Sequence, residues 1–261
     1  PYSGYPRGSA NEAKQVLNLV GGPYKNRIYR GRTRAVFENK NMYGQYRAVG
    51  HPVACAVTEG LVDLAAGAIG MDPAAFRRRN YIAADSYPYT LVTGPVFEKL
   101  SQHEAHDKLL KLMDYPALRA DQEVCRKRGI FRGIGLAAFV EMSNPSAATY
   151  GQGGASIASQ DGCTMKLTAT GSITCAASIN EIGQGATAVI TQIAASAVGV
   201  SPDKIKVVIG DTEVTPYGGG NWGSRGTGIG GEAVLQAGKT LRQNILTFVA
   251  LITGTEASTL S

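Results

Sequence analysis

Residues 163–209 read CTMKLTATGSITCAASINEIGQGATAVITQIAASAVGVSPDKIKVVI, and their spacing decides the fold. Met165, Leu167 and Ala169 alternate with polar residues, Thr170-Gly171 turns the chain, and Ile173, Cys175, Ala177 and Ile179 alternate on the way back. Apolar side chains at every second position on either side of a turn predict a β-hairpin. Gly183-Gln184-Gly185 ends the second strand and opens a helix that carries Val189, Ile190, Ile193, Ala194 and Ala197 at helical spacing until Gly199 stops it. Ile205, Val207 and Ile209 then return to period two, so a third strand follows the helix.

Downstream, Tyr217–Gly231 is a loop with eight glycines in its last fourteen residues, and an amphipathic helix follows through Val234, Leu241, Ile245 and Val249. Upstream, Arg27–Asn39 has mixed strand character, with Ile28, Tyr29 and Val36 among charged residues. Gly50-His51-Pro52 opens a helix on which Val53, Val57, Leu61, Leu64, Ala65 and Ala68 recur, and Gly70 stops it. Asp72-Pro73 caps a short helix over Ala74–Arg79. Further helices are expected over Phe97–Met113 and from Pro116 to Gly129, with strand character from Ile130 onward. The expected fold class is α+β, two mixed α/β lobes with strands and helices interleaved, divided into residues 1–129 and 130–261.

Composition limits the function classes. The 261 residues are 44% hydrophobic and 18% charged, which suits a soluble globular chain with a real core. No apolar run approaches the ~18 residues of a membrane span, no secretory leader opens the chain, and no membrane partner is expected. The chain opens at Pro1-Tyr2-Ser3 and closes in the polar stretch Thr253–Ser261, so both ends are expected to be cuts in a longer protein. A net charge of +6 raises nucleic acid as a partner. Against that, Arg77-Arg78-Arg79 and Arg126-Lys127-Arg128 fall at helix C-termini, where cations meet the dipole, and the 12 tyrosines do not interleave with them. A solvated face, or one meeting an acidic partner subunit, is the expectation.

Cys55, Cys125, Cys163 and Cys175 form no Cys-x-x-Cys pair, so no zinc ribbon or iron–sulfur cluster is encoded, and four buried or reduced thiols of a cytoplasmic protein are expected. His51, His103 and His106 are too scattered for a metal site; His103 and His106 read as solvated surface residues, and no protein-borne metal is expected.

The chemistry concentrates in two glycine-rich turns, each just before a helix: Ile182-Gly183-Gln184-Gly185 and Gly223–Gly231. Glycine lets backbone approach a ligand and aim several N–H groups at it, and a helix N-terminus behind such a turn favours an anion. Ser224 and Thr227 add hydroxyls, and Arg225 adds a cationic fork suited to phosphate. Two ordinary tight turns would give the same residues. Neither turn is a P-loop, because no Gly-Lys-Ser/Thr follows, and neither has the acidic residue and βαβ framing of a dinucleotide site.

Asn180-Glu181-Ile182-Gly183-Gln184-Gly185 followed by Gln192-Ile193-Ala194-Ala195 resembles the pterin-binding turn and helix of xanthine oxidase-family molybdenum hydroxylases. Gly210-Asp211-Thr212, Pro216-Tyr217-Gly218 and Gly223-Ser224-Arg225 resemble the next family segment, nearest the carbon monoxide dehydrogenase-like branch. Tyr46-Arg47-Ala48-Val49-Gly50, with Glu59, Asp63, Asp72-Pro73, Arg77 and Asn80, is similar to the loop and helices beneath the metal. The resemblance runs from about residue 15 to about residue 245 and implies an internal fragment of the molybdopterin-binding catalytic subunit: the end of one cofactor-binding lobe with connecting helices, then the start of a second.

That resemblance implies a molybdenum pyranopterin, in its cytosine dinucleotide form, with Gly183 and Gln184 meeting the pterin and Arg47 facing the cofactor. Gly223, Ser224 and Gly226 would contact pterin or phosphate. It implies oxidation of an aldehyde or N-heterocycle with oxygen from water, iron–sulfur clusters and FAD on other domains or subunits, and a hetero-oligomeric assembly. The substrate pocket would include Gln15, where the purine-anchoring arginine falls, and Val49 and Leu136, where the family's two clamping phenylalanines fall. Ala48 stands where carbon monoxide dehydrogenases carry a copper-binding cysteine, so purines and carbon monoxide both lose support. No catalytic residue is expected within the chain: the general-base glutamate belongs beyond Ser261, and Gly231-Glu232 belongs to a helix start. Alone, the chain is expected to fold but not to turn over. The rival reading is a non-catalytic, glycine-rich scaffold or subunit-interaction fragment, which would have no need of Ser224-Arg225 beside a helix N-terminus.

Overall fold

The computed structural model describes residues 9–34, 36, 38–39, 46–141 and 160–260. The chain divides into two compact units, Pro1–Glu141 and Met142–Ser261. Residues 130–141 group with the first unit and carry no strand, so the strand character expected from Ile130 begins, among the described residues, at Cys163.

In the first unit, α1 (Ser9–Leu19) packs on α2 (His51–Ala68), which in turn packs on α3 (Pro73–Asn80). Pro52 sits in the first turn of α2, where a missing N–H costs nothing, and the left-handed Gly70 follows its end. The Asp72 carboxylate caps α3 by accepting from the Ala74 and Ala75 N–H groups at 2.9 and 3.0 Å. A hairpin of β1 (Tyr89–Thr90) and β2 (Val96–Phe97) precedes α4 (Gln102–Leu112) and α5 (Tyr115–Lys127). The helix expected over Phe97–Met113 therefore starts five residues late, because Phe97 is paired with Tyr89 in the hairpin. The described part of Arg27–Asn39 contains no strand; the nearest pairing is a single bridge between Tyr24 and Tyr81.

The apolar spacing identified α2 but not its packed side. Val53, Val57, Leu61 and Leu64 are exposed, as are Ala65 and Ala68, whereas His51, Ala54, Thr58, Glu59 and Ala66 are buried. The buried polar groups are tied together. Arg77 donates from Nε to Glu59 at 2.8 Å and from Nη1 to Asp63 at 2.7 Å, and the Tyr24 hydroxyl donates to the other Glu59 oxygen at 2.7 Å. Tyr24 stacks on Tyr81, whose hydroxyl is 3.1 Å from His106 Nδ1. Burial pushes the Tyr81 hydroxyl up to about 12 and lowers His106 below its ordinary value. His106 is thus a core residue, and His103 bonds the Ile82 carbonyl and Arg78. The expectation of solvated histidines fails because both rings make edge contacts with Tyr81, which leaves His103 half-buried and His106 buried. Arg77 is likewise buried rather than part of a solvated basic face.

The second unit follows the opening sequence closely. β3 (Cys163–Leu167) and β4 (Ile173–Ala177) form the antiparallel hairpin, and β5 (Ile205–Val208) lies parallel to β4 on its other side. The crossover from β4 to β5 is α6 (Ala186–Val198), and α7 (Gly231–Thr253) packs beside it. Cys175, Ala177, Ile179, Ala186, Ile190, Ala194 and Val234 form the core. Ile190 and Val234 are fully buried, worth about 2 kcal/mol each. Gly238 sets the approach of the two helices, since a Cβ there would lie 2.5 Å from the Ala197 Cβ.

Candidate functional site

Two turns of the second unit meet at Asn180 and Asn221. Asn180 Oδ1 accepts from the Asn221 N–H at 3.0 Å, and Asn221 Nδ2 donates to the Asn180 carbonyl at 2.8 Å. The first turn, Asn180–Gly185, leads into α6 with Gly183 and Gly185 in the left-handed region. The second runs through the left-handed Gly223 and Ser224 into a π-helical turn, Gly226–Gly230, that passes directly into α7. Part of the expected glycine loop is therefore helical, and wide turns of this kind are frequent at functional sites. Gly226 is required here: a Cβ would fall 2.1 Å from Asn221 Oδ1.

Between the turns lies a cleft of about 240 Å³. Gln184, Asn221, Ser224 and Thr227 supply polar groups to its wall, Ile179, Ala186 and Val189 supply an apolar surface, and Gly226 completes it. Three expected cofactor residues, Gln184, Ser224 and Gly226, thus share one cleft. Gly183 and Gly223 lie in the flanking turns with open space where a Cβ would be.

The anion chemistry differs from the sequence expectation. The Glu181 carboxylate curls over the start of α6 and accepts from the N–H groups of Gly183, Gly185 and Thr187 at 2.9, 3.0 and 3.1 Å. The Thr187 N–H foremost, with those of Gly185 and Gly183, holds the Glu181 carboxyl below the usual carboxylate range. The helix N-terminus behind the first turn, a place that favours an anion, already holds a carboxylate of the chain.

Arg225 is a second correction. Its side chain is buried, and Nη2 donates to Asp161 Oδ2 at 2.8 Å and to the Gln160 carbonyl at 3.1 Å. The guanidinium stands over the Trp222 ring, 5.6 Å from its centre. A fork engaged by a buried carboxylate is not presented to a phosphate, because desolvating both charges commits them to each other. Asp161 Oδ1 also accepts from the Ser178 hydroxyl at 2.9 Å and the Gly219 N–H at 3.1 Å. Asp161 therefore clamps the end of β4 and both ends of the Gly219–Arg225 stretch. No motif marked it; the only signal was an acidic residue just before a strand whose partner loop carries an arginine.

The remaining expected residues lie in the first unit. Arg47 is exposed in the turn 46–50, where Ala48, Val49 and Gly50 all have positive φ (71°, 20° and 79°). His51 steadies this strained turn: its Nδ1 is 2.6 Å from the Ala48 carbonyl and 3.2 Å from that of Val49. Gln15 of α1 adjoins the same turn, since a Cβ on Gly50 would sit 3.2 Å from the Gln15 Cβ. Leu136 lies half-buried in segment 130–141.

The sequence pattern of the family described as "molybdopterin cofactor-binding domain" matches residues 108–261, and a second pattern of the same description matches residues 3–81. The chain belongs to the xanthine oxidase family of molybdenum-binding large subunits. It is 34% identical over 212 residues to the nicotine 6-hydroxylase large subunit of Paenarthrobacter nicotinovorans, an overlap of 81% of this chain and 26% of that one. It is 33% identical over 233 residues to the carbon monoxide dehydrogenase large chain of Hydrogenophaga pseudoflava, covering 87% of this chain and 29% of the relative. The crystal structure of the aldehyde oxidoreductase from Desulfovibrio desulfuricans superposes with a TM-score of 0.75 at 26% identity, over 91% of this chain and 25% of that one. The chain thus spans between a quarter and a third of the length of these relatives. The α+β class expected from the sequence agrees with these relatives.

The cleft suits a pterin. A flat heteroaromatic with polar edges needs an apolar wall and amide or hydroxyl partners at its rim. Ile179 and Val189 give the wall, and Asn221 Oδ1 and the Ser224 hydroxyl give partners. The Gln184 amide, which in this structure accepts from the Ile182 N–H at 2.7 Å and donates to the Asn180 carbonyl at 3.2 Å, holds the turn beside them. A phosphate does not fit the start of α6, where Glu181 stands.

Proposed function

We propose that this chain forms the pterin-contacting part of a molybdenum-dependent oxidoreductase that oxidises an aldehyde or an N-heterocycle with oxygen drawn from water. The observation that carries the reading is the cleft between the two asparagine-linked turns, in which Gln184, Ser224 and Gly226 converge. When bound, the cofactor supplies two-electron redox chemistry at molybdenum. The chain binds and orients it. Gln184 and Asn221 meet the pterin edge, while Ile179, Ala186 and Val189 keep water from its ring. Phosphate of a cytosine dinucleotide form is steered away from Glu181 and toward the Ser224 and Thr227 hydroxyls and the Gly223–Gly226 backbone. Arg47, exposed on a strained turn of the first unit, is a separate cofactor-binding candidate.

Substrate selection rests on Gln15, Val49 and Leu136, which provide neither a fixed cation nor an aromatic clamp. A neutral N-heterocycle or aldehyde fits that lining, and Ala48 speaks against carbon monoxide, so robust carbon monoxide oxidation by the intact enzyme would contradict the assignment. Iron–sulfur and FAD subunits complete a hetero-oligomer. The exposed apolar stripe Val53, Val57, Leu61 and Leu64 on α2 supports such an assembly, because stripes of that length are normally covered. Among the described residues no single helix is long and apolar enough to cross a membrane. The four unlinked thiols support a reducing, cytoplasmic setting.

The test is molybdenum retention in the intact enzyme. Gly226→Leu drives Asn221 away from Asn180, and Gly183→Trp forces a bulky side chain into left-handed backbone. Both variants should lose molybdenum while circular dichroism shows the fold kept. Stoichiometric molybdenum in a folded variant of either kind would sink the proposal.

A further inference from the structure

Cys163 and Cys175 belong to neither turn, yet their sulfurs lie 3.7 Å apart. The strand register explains the meeting: Cys163 is paired with Ala177 and Met165 with Cys175, so both thiols project from the same face of the β3–β4 hairpin as a diagonal pair. Cys175 is fully buried on the central strand, while Cys163 is the first residue of the edge strand and is partly open to solvent. The side chains packed around them, including Met165, Ala177, Ile190, Ile205, Val207 and Val234, carry no charge.

We propose that Cys163 and Cys175 form a dithiol modification site, which a hydroperoxide converts to an intrachain disulfide between β3 and β4. The step balances. The Cys163 sulfur, the accessible one, attacks the peroxide, gains one oxygen as a sulfenic acid and releases water or an alcohol. The Cys175 sulfur then attacks the Cys163 sulfur, the S–S bond forms, and the hydroxyl leaves as a second water with the remaining thiol proton. Two electrons pass from the two sulfurs to the peroxide. The sulfurs must close from 3.7 Å to about 2 Å. Diagonal neighbours on antiparallel strands usually stand ~7–8 Å apart, beyond the ~4.4–6.8 Å Cα spacing of disulfides, so closure requires the start of the edge strand to shift toward the central one. The hydrogen bond to Cys175, together with burial, holds the Cys163 thiol above the ordinary thiol range. Closure is therefore slow at neutral pH and faster in alkali, where thiolate forms. Cys55 and Cys125 are internal controls: each is a free thiol, and the Cys125 sulfur donates to the Asp121 carboxylate.

The experiment treats the intact, natively folded protein with hydrogen peroxide, quenches it, alkylates the remaining thiols in denaturant and maps the tryptic peptides by mass spectrometry. Trypsin cuts after Lys166, between the two cysteines, so the bond is read as one cross-linked pair of peptides that has lost two hydrogens. The expected result is that pair, with Cys55 and Cys125 alkylated, and its disappearance after dithiothreitol. Full alkylation of both Cys163 and Cys175 after oxidation overturns the proposal. So does over-oxidation of Cys163 to a sulfinic acid with Cys175 still a free thiol. Cys163→Ser, at the more tolerant edge position, should abolish the cross-link; an unchanged cross-link in that variant would overturn it equally.

Discussion

Replacing Asp161 by Asn tests whether the glycine loop is held by a buried charge. Asp161 and Arg225 have no solvent-exposed side-chain surface, and their contact is 2.8 Å. Asparagine keeps the shape and can still accept from Ser178 and Gly219, but it removes the carboxylate charge that faces the buried guanidinium. Removing one partner of such a pair costs about 3–5 kcal/mol, whereas replacing both with apolar groups of similar size is close to neutral. With a urea dependence of ~2 kcal/mol per molar, the Asp161→Asn midpoint should fall by roughly 2 M. Arg225→Met should fall by a similar amount. The double variant should recover much of the loss, giving a coupling of at least ~2 kcal/mol in the double-mutant cycle. The measurement is equilibrium urea unfolding of the four proteins, followed by far-ultraviolet circular dichroism. If the single variants cost under ~1 kcal/mol and the double is their sum, the pair is a solvated contact. Asp161 then does not hold the loop.

Glu181→Gln should remove a pH-dependent share of stability. Because the folded carboxyl lies below its unfolded value, its contribution is present above the unfolded value and fades as pH falls through the folded one. The gap between wild type and variant in unfolding midpoints should be widest near neutrality and vanish in acid; a constant gap would refute this origin. Ala48→Gly should raise the unfolding midpoint slightly. Relief of left-handed backbone gives about 1–2 kcal/mol, and the freer unfolded chain takes back about 0.4–1 kcal/mol, so a drop on calorimetry would show that the turn is not strained. Leu61→Glu and Leu64→Glu replace side chains 59% and 72% exposed. They should leave the chain's own stability within ~0.5 kcal/mol while weakening co-purification of partner subunits, and undisturbed assembly would argue against covering of this face.

The second unit was legible because its local signals agree. Period two on both sides of Thr170-Gly171, period 3.6 from Ala186 and a glycine stop at Gly199 each point to one element, and the structure has all of them. α2 shows where such reading ends. Helical spacing of Val53, Val57, Leu61 and Leu64 marks the helix, but periodicity cannot say which face a chain packs against itself and which against something else. Here the inward face is built of Ala54, Thr58, Glu59 and Ala66, and Glu59 is acceptable there only because Arg77 and Tyr24 reach it from distant positions. Arg77 read as one of three surface cations for the same reason: its partners are 14 and 18 residues away.

At the site, residue type was legible and orientation was not. Glycine density and hydroxyl placement marked the two turns and Ser224, the family resemblance added Gln184 as a pterin contact, and Gln184, Ser224 and Gly226 line one cleft. Neither the Arg225 fork nor the start of α6 is open to a phosphate, and the two share a cause. Two of the positive features that sequence presents as an invitation to an anion are met in the fold by a carboxylate of the chain itself: Asp161 for the guanidinium, and Glu181 for the N–H groups of Gly183, Gly185 and Thr187. Internal carboxylates do for the loops what a ligand would otherwise have to do, since a turn rich in left-handed glycine has a high entropy cost to order. With Asp161 and Glu181 in place, the cleft between Asn180 and Asn221 can be shaped before anything binds, and pre-organised polar groups lose less freedom on binding than mobile ones. The recognition left to the cleft is then through neutral amide and hydroxyl groups, which suit a pterin edge, and any phosphate is left to the Ser224 and Thr227 hydroxyls rather than to Arg225 or the start of α6.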